Sequence, residues 1–183
     1  MSRENGIIQT FMGKGVSPLD PKPDQIDIRD IAHALSNTCR FAGHTSSFYS
    51  VAQHSVILSA HLPEELSLCG LLHDSAEAYL TDIPRPYKHL IPGYKEIEQG
   101  LLDVIAVALN CPDLKNLPPI IKELDAMMFG WEARDLMGIS DMYTEEAKAL
   151  IQSAIDKAYP KMKCWGPEES KRQFMQAYTR YKK

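Results

Sequence analysis

With 183 residues, 44% of them hydrophobic, and a formal charge of -4, the chain is long enough for one well-buried domain and too short for two of ordinary size. A pI of about 5.9 and the lack of any Lys/Arg cluster exclude a broad footprint on long nucleic acid, while a small anion needs only two or three local cations. The first six residues have no apolar signal core, and the most apolar run, Leu101 to Leu109, is broken by Asp103 and too short to span a bilayer, so a soluble, cytoplasmic protein with no membrane partner is expected.

Residues 6–16 lean towards β structure around Gly13-Lys14-Gly15 and are compatible with a short hairpin. Pro18, Pro21 and Pro23 make the next stretch irregular, after which Asp27 can cap a helix with Ile28, Ile31, Ala32 and Leu35 inside, ending near Ser36 and Asn37. Residues 37–49 read as a loop. Its Arg40, His44 and serines suit either anion contacts or plain solvation.

A helix is predicted from Tyr49 or Ser50 to His61, with His54 on the apolar stripe of Val51, Ile57 and Leu58. Pro63 breaks it, so the flanking helices should form an antiparallel hairpin. His54 and His73 each lie seven or eight residues from that turn, roughly 10 to 12 Å along the axis, and so stand level with one another.

The second arm of the hairpin holds the densest chemistry. Read as one helix over 69–82, it places His73 four residues before Glu77 and Asp74 three before it, among Leu71, Leu72, Ala76, Tyr79 and Leu80. Charges in such surroundings need a partner, either a metal ion or, more simply, a carboxylate that orients a core histidine. Pro84 and Pro86 then hold Arg85 and Lys88 in a stiff connector. A helix is predicted over 94–109 with Ile97, Leu101, Ile105 and Ala108 inside. Another, opened by Pro118 and Pro119, carries Asp125 between Ile121, Met128 and Phe129, on the wrong face for a solvated carboxylate. Thr144 can cap a helix with Leu150, Ile151, Ala154 and Ile155 inside, and Pro167 opens a last one with Phe174, Tyr178 and Tyr181. Cys39, Cys69, Cys111 and Cys164 form no CxxC pair and read as reduced packing residues.

His54, His73, Asp74 and Asp125 thus make an imidazole and carboxylate set without a thiol, suited to Mn, Fe, Co, Ni or Zn with positions left open for water. The order His54, His73-Asp74, Asp125 resembles the HD-domain phosphohydrolases. Arg40-Phe41, the stretch Tyr49 to Ser55, the stretch His73 to Glu77, Asp82-Ile83-Pro84 and Pro86-Tyr87-Lys88 resemble more narrowly its compact branch of bacterial 5'-deoxynucleotidases and phage dATP triphosphohydrolases, over about residues 17–135. The resemblance implies an all-α fold, a single helical-bundle domain over 1–183, in which His54, His73, Asp74 and Asp125 hold a divalent metal. It implies that Glu77 and Asp82 act near the reacting phosphate, and that Arg40, Phe41, His44 and Lys88 contact a small deoxynucleotide. A homo-oligomer is expected. Glu77 would position water or take its proton, and Asp82, if kept neutral, would protonate the leaving sugar oxygen. A dATP triphosphohydrolase comes first, a 5'-deoxynucleotidase second, and a metal-containing nucleotide-binding module without catalysis third.

Overall fold

In the computed structural model, which describes residues 6–138 and 140–182, Ile8–Gln9 (β1) pairs antiparallel with Gly15–Val16 (β2), Ile8 opposite Val16 and Gln9 opposite Gly15. Among the described residues the rest is helical or loop apart from an isolated antiparallel bridge between Cys39 and Ser50, so the expected all-α bundle with a short N-terminal hairpin is what the chain forms. Helix α1 (Ile28–Asn37) starts where expected, because the Asp27 carboxylate accepts a hydrogen bond from Arg29 N at 3.0 Å and satisfies one of the free amides of the first turn. Ser50 does the same for α2 (Val51–Ala60), accepting from Gln53 N. Polar residues cover much of α2, yet Gln53, His54, Ser55 and Ser59 are all buried with Val51, Ala52 and Leu58, so this helix runs through the middle of the bundle.

Pro63 separates α2 from α3 (Glu64–Leu72), and the two pack as the predicted antiparallel hairpin. The Leu58 and Leu62 side chains pack onto α3 at Gly70, where a Cβ would lie 2.2 Å from Leu62 Cδ1. The helix expected over 69–82 is not continuous. It ends at Leu72, and Ser75 N and Glu77 N bond to Leu72 O and Asp74 O, three residues back, before the short α4 (Glu77–Leu80) resumes. Tighter turns of this kind are common at helix ends and as short connectors. Another single turn, α5 (Arg85–Lys88), occupies the predicted connector.

Helices α6 (Tyr94–Ala108) and α7 (Pro119–Glu132) follow their apolar stripes, with Leu101, Ile105, Ile121 and Met128 buried. A widened π turn over Ala133–Met137 ends α7. Helix α8 (Glu145–Asp156), capped by Thr144, lies so close to α7 that a Cβ on Gly130 would stand 2.3 Å from Leu150 O. Helix α9 (Pro167–Tyr181) closes the bundle, placing Phe174 and Tyr178 against α1, α2 and α3. The Gln53 side chain ties the approach to α9 by donating to Lys163 O and accepting from Trp165 N, both at 2.8 Å. The four thiols are free. Among the described residues no helix is long and apolar enough to cross a membrane.

Candidate metal and phosphate site

The α2/α3 hairpin brings the rings of His54 and His73 to 5.3 Å between centroids, as their equal distance from the Pro63 turn predicts. Each ring is fixed through Nδ1, which leaves Nε2 to point into the shared space. His73 Nδ1 lies 2.8 Å from Gly70 O, and His54 Nδ1 lies 2.5 Å from Glu132 Oε1. His54 Nε2 and His73 Nε2 are both buried and make no hydrogen bond. Asp74 Oδ2 sits 3.1 Å from His73 Nε2 and 3.8 Å from His54 Nε2, while Asp125 Oδ1 comes in from α7 at 3.3 Å from His54 Nε2.

The 3.1 and 3.3 Å spacings suit a divalent ion, and the 3.8 Å one is somewhat wider. Ligands about 2.1 Å from one ion stand roughly 3.0 to 3.4 Å apart at octahedral or tetrahedral angles. His54, His73 and Asp74 each offer an atom, and these atoms lie within 4.8 Å of one another. Asp125 adds a second carboxylate on the His54 side, although its Oδ2 is engaged by the Arg85 guanidinium. Two orphaned imidazole nitrogens and the Asp74 carboxylate are therefore a donor set that fits such an ion, with Asp125 beside His54, and each ring's other nitrogen is held by an oxygen acceptor in the way metal-binding histidines are oriented.

Electrostatics follow from the burial. Burial and the Arg40 charge oppose a proton on His54, but Glu132 and Asp125 outweigh them and lift its pKa to about 9. Burial works against ionised Asp74 and Asp125 too, yet His73 and His54 hold both well below the usual carboxylate range. For Glu77 the charges of Arg40 and Lys88 do not make up for burial. Burial pushes its pKa well up, and the charges on Asp74 and Asp82 push it further, while its Oε2 is buried and unpartnered. Asp82 is shifted upwards as well, first by burial. It follows Thr81, whose φ of 67° ends α4 sharply and turns the chain towards the Asp82-Ile83-Pro84 segment.

The sequence-predicted phosphate contacts meet different fates. Arg40 is brought to the site, but its guanidinium is pinned by Glu132 at 3.0 Å and Asp74 at 3.6 Å. Burial disfavours its charge, and Glu132, Asp74 and Asp125 more than restore it. Lys88 pairs with Glu98 at 2.5 Å and lies 3.9 Å from Glu77, over the Tyr94 ring. His44 is exposed at the end of a tight turn over Arg40–Gly43. In that turn Phe41 and Ala42 both adopt left-handed backbone angles, φ 53° and 51°, a costly conformation for residues with a Cβ. Arg40 N bonds to Tyr49 O and Ser46 N to Leu136 O, and these bonds hold the turn in place. The Phe41 ring then rests 5.9 Å from Phe129, which in turn meets Tyr143 edge-on at 6.1 Å.

Glu132 is the residue that sequence reasoning missed. Fully buried, it accepts from His54 Nδ1, from the Tyr49 hydroxyl at 3.0 Å and from Arg40, and so joins a metal-ligand candidate to a phosphate-contact candidate. Its signal was available: seven residues after Asp125, it falls two turns along the same face of α7. Arg85, predicted only as part of the stiff connector, reaches Asp125.

A protein of Escherichia coli K12 called uncharacterized protein YfdR is 46% identical over 135 residues, which are 74% of this chain and 74% of that protein. The chain belongs to the YfdR family. A Rhodobacter capsulatus protein, RCAP_rcc00048, is 33% identical over 141 residues, 70% of this chain and 72% of its own length. No family model matches the chain. Membership of the YfdR family brings no named activity with it, so the chemistry rests on the side chains described above.

Proposed function

We propose that the protein is a divalent-metal-dependent phosphohydrolase of deoxynucleotides, acting first as a dATP triphosphohydrolase that releases deoxyadenosine and tripolyphosphate. The observation that carries this reading is the pair of buried, unpartnered Nε2 atoms of His54 and His73 facing Asp74 and Asp125, with the buried carboxyl of Glu77 one turn away. The resemblance to HD-domain phosphohydrolases in the order of these residues supports it. Co, Mn, Zn, Fe or Ni all suit the donor set.

A divalent ion, when bound, acidifies water and polarises a phosphoryl oxygen. The protein supplies the rest. Glu77 takes at Oε2 the proton that water gives up as its oxygen bonds to the α-phosphorus, and Asp82, its pKa raised by burial, donates one to the 5'-oxygen of the sugar as the bond from that oxygen to phosphorus breaks. Arg40 offsets charge on the reacting phosphate from a position fixed by Glu132. Phe41, with Phe129 beside it, offers an aromatic surface to the nucleoside.

A 5'-deoxynucleotidase is the second reading, and one observation favours it: Lys88 is already paired with Glu98, which leaves fewer free cations for a triphosphate. Incubating the metal-loaded protein with a panel of dNTPs and dNMPs and weighing the products separates the two. With dATP in oxygen-18 water, label should enter tripolyphosphate and leave deoxyadenosine unlabelled. Label in inorganic monophosphate, with dADP or dAMP beside it, would overturn attack at the α-phosphorus. Tight nucleotide binding with no product would instead mark a binding module.

A further inference from the structure

Among the described residues Arg40, Lys88 and Arg85 border the site, and they are not equally committed. Arg40 is buried between Glu132 and Asp74, and Lys88 is held by Glu98 and Glu77. Arg85 is different. Its side chain is 72% exposed, it stands on the single turn α5 between two prolines, and its guanidinium pairs with Asp125. The other oxygen of that same carboxylate lies 3.3 Å from the unpartnered Nε2 of His54. Asp125 therefore faces two positive claimants, the donor cluster on one side and a solvent-exposed guanidinium on the other.

We infer that Arg85 is a movable arm that pairs with Asp125 while the donor cluster holds no ion, and engages an oligophosphate once a divalent ion takes the carboxylate. The inference rests on the metal reading given above and extends it to a residue of this chain. Like charges decide the direction: a guanidinium about 5 Å from a divalent ion is repelled, and it also drains the charge that makes Asp125 a good ligand. An exposed arginine anchors its partner only weakly, so losing its orienting effect costs less than losing its competition gains. Once released, the planar fork of donors matches phosphate oxygens, and at 72% exposure the arm is free to swing towards an anion in the mouth of the site. Lys88 cannot serve the same role without abandoning Glu98. By linkage, an oligophosphate that draws Arg85 away from Asp125 strengthens ion binding by the same factor as the ion strengthens oligophosphate binding.

The test is a calorimetric titration of Co2+ into the full-length protein and its Arg85→Met and Arg85→Lys variants, without nucleotide, followed by inorganic tripolyphosphate titrated into the Co2+-saturated proteins. Arg85→Met should bind Co2+ about five- to tenfold more tightly than the wild type, with Arg85→Lys between them. It should also bind tripolyphosphate about tenfold more weakly. Equal or weaker Co2+ binding by Arg85→Met overturns the competition, and unchanged tripolyphosphate affinity overturns the movable arm. Neither readout requires turnover, so a protein that binds both probes as expected but hydrolyses no nucleotide keeps this inference while losing the proposed activity. A wild-type protein that takes up no Co2+, Mn2+ or Zn2+ loses both.

Discussion

Glu132→Gln is the substitution that most directly tests how the site is held. The carboxylate takes His54 Nδ1 at 2.5 Å and the Tyr49 hydroxyl at 3.0 Å on one oxygen, and Arg40 at 3.0 Å on the other. A glutamine keeps the shape but replaces one acceptor oxygen with an NH2 donor, so one of those three donors must face another donor. Losing a charge-assisted hydrogen bond in a buried network costs about 1.5 to 3 kcal/mol of stability, and Glu132→Ala, which leaves Arg40 without its buried counter-charge, costs about 3 to 5 kcal/mol. The effect on metal affinity has two opposed parts. Loss of the acceptor that fixes the His54 ring weakens ion binding by about 10- to 100-fold. Against this, Glu132 helps raise the His54 pKa to about 9, so near neutral pH an ion must displace a proton from the wild-type ring, and without Glu132 that competition fades. The two parts separate in a calorimetric titration of Co2+ run in buffers of different ionisation enthalpy. Wild type should release close to one proton from His54 per ion at pH 7.5 and gain about tenfold in affinity per pH unit towards pH 9; Glu132→Gln should release distinctly less and show a flatter slope. Equal proton release and equal slope in the two proteins would refute the role given to Glu132, even if the variant were less stable.

Other perturbations probe neighbouring links. Asp125→Ala should lose bound metal by elemental analysis, whereas His61→Ala and His89→Ala, both at exposed positions, should keep it; full occupancy in Asp125→Ala would remove that residue from the site. Glu77→Ala should keep ion and nucleotide yet lose turnover by about 10^2- to 10^4-fold, and near-normal turnover would sink its place in proton transfer. In chelated protein the raised His54 pKa adds stability that is fully present below pH 6.5 and lost as pH rises through about 9, up to about 3 kcal/mol, so urea midpoints should fall over that window. Gly130→Ala should destabilise by about 1 to 3 kcal/mol or more in the same urea assay, because its Cβ would strike the α8 backbone at Leu150 rather than a side chain that can turn away.

Local rules written in the sequence were enough for most elements and for the heart of the site. Asp27, Ser50 and Thr144 cap the helices they precede because a short polar side chain before an apolar stripe satisfies free amides wherever it occurs. The Pro63 turn and the helical rise set His54 level with His73, and the 3.6-residue period put Asp125 on the buried face of α7. What periodicity could not encode is which distant element a buried face meets. The crossing of α7 over α2 gives Glu132 to His54 and Arg40, 78 and 92 residues away in the chain, and so turns an arginine expected to face phosphate into one shared with two carboxylates. The α5 turn likewise gives Lys88 to Glu98 and Arg85 to Asp125. The break in the helix at His73 to Ser75 escaped for a related reason: residues 69–82 have the composition of one continuous helix, and the chain tightens there where Asp74 sits between His73 and His54 of α2, a contact that exists only once the helices are packed.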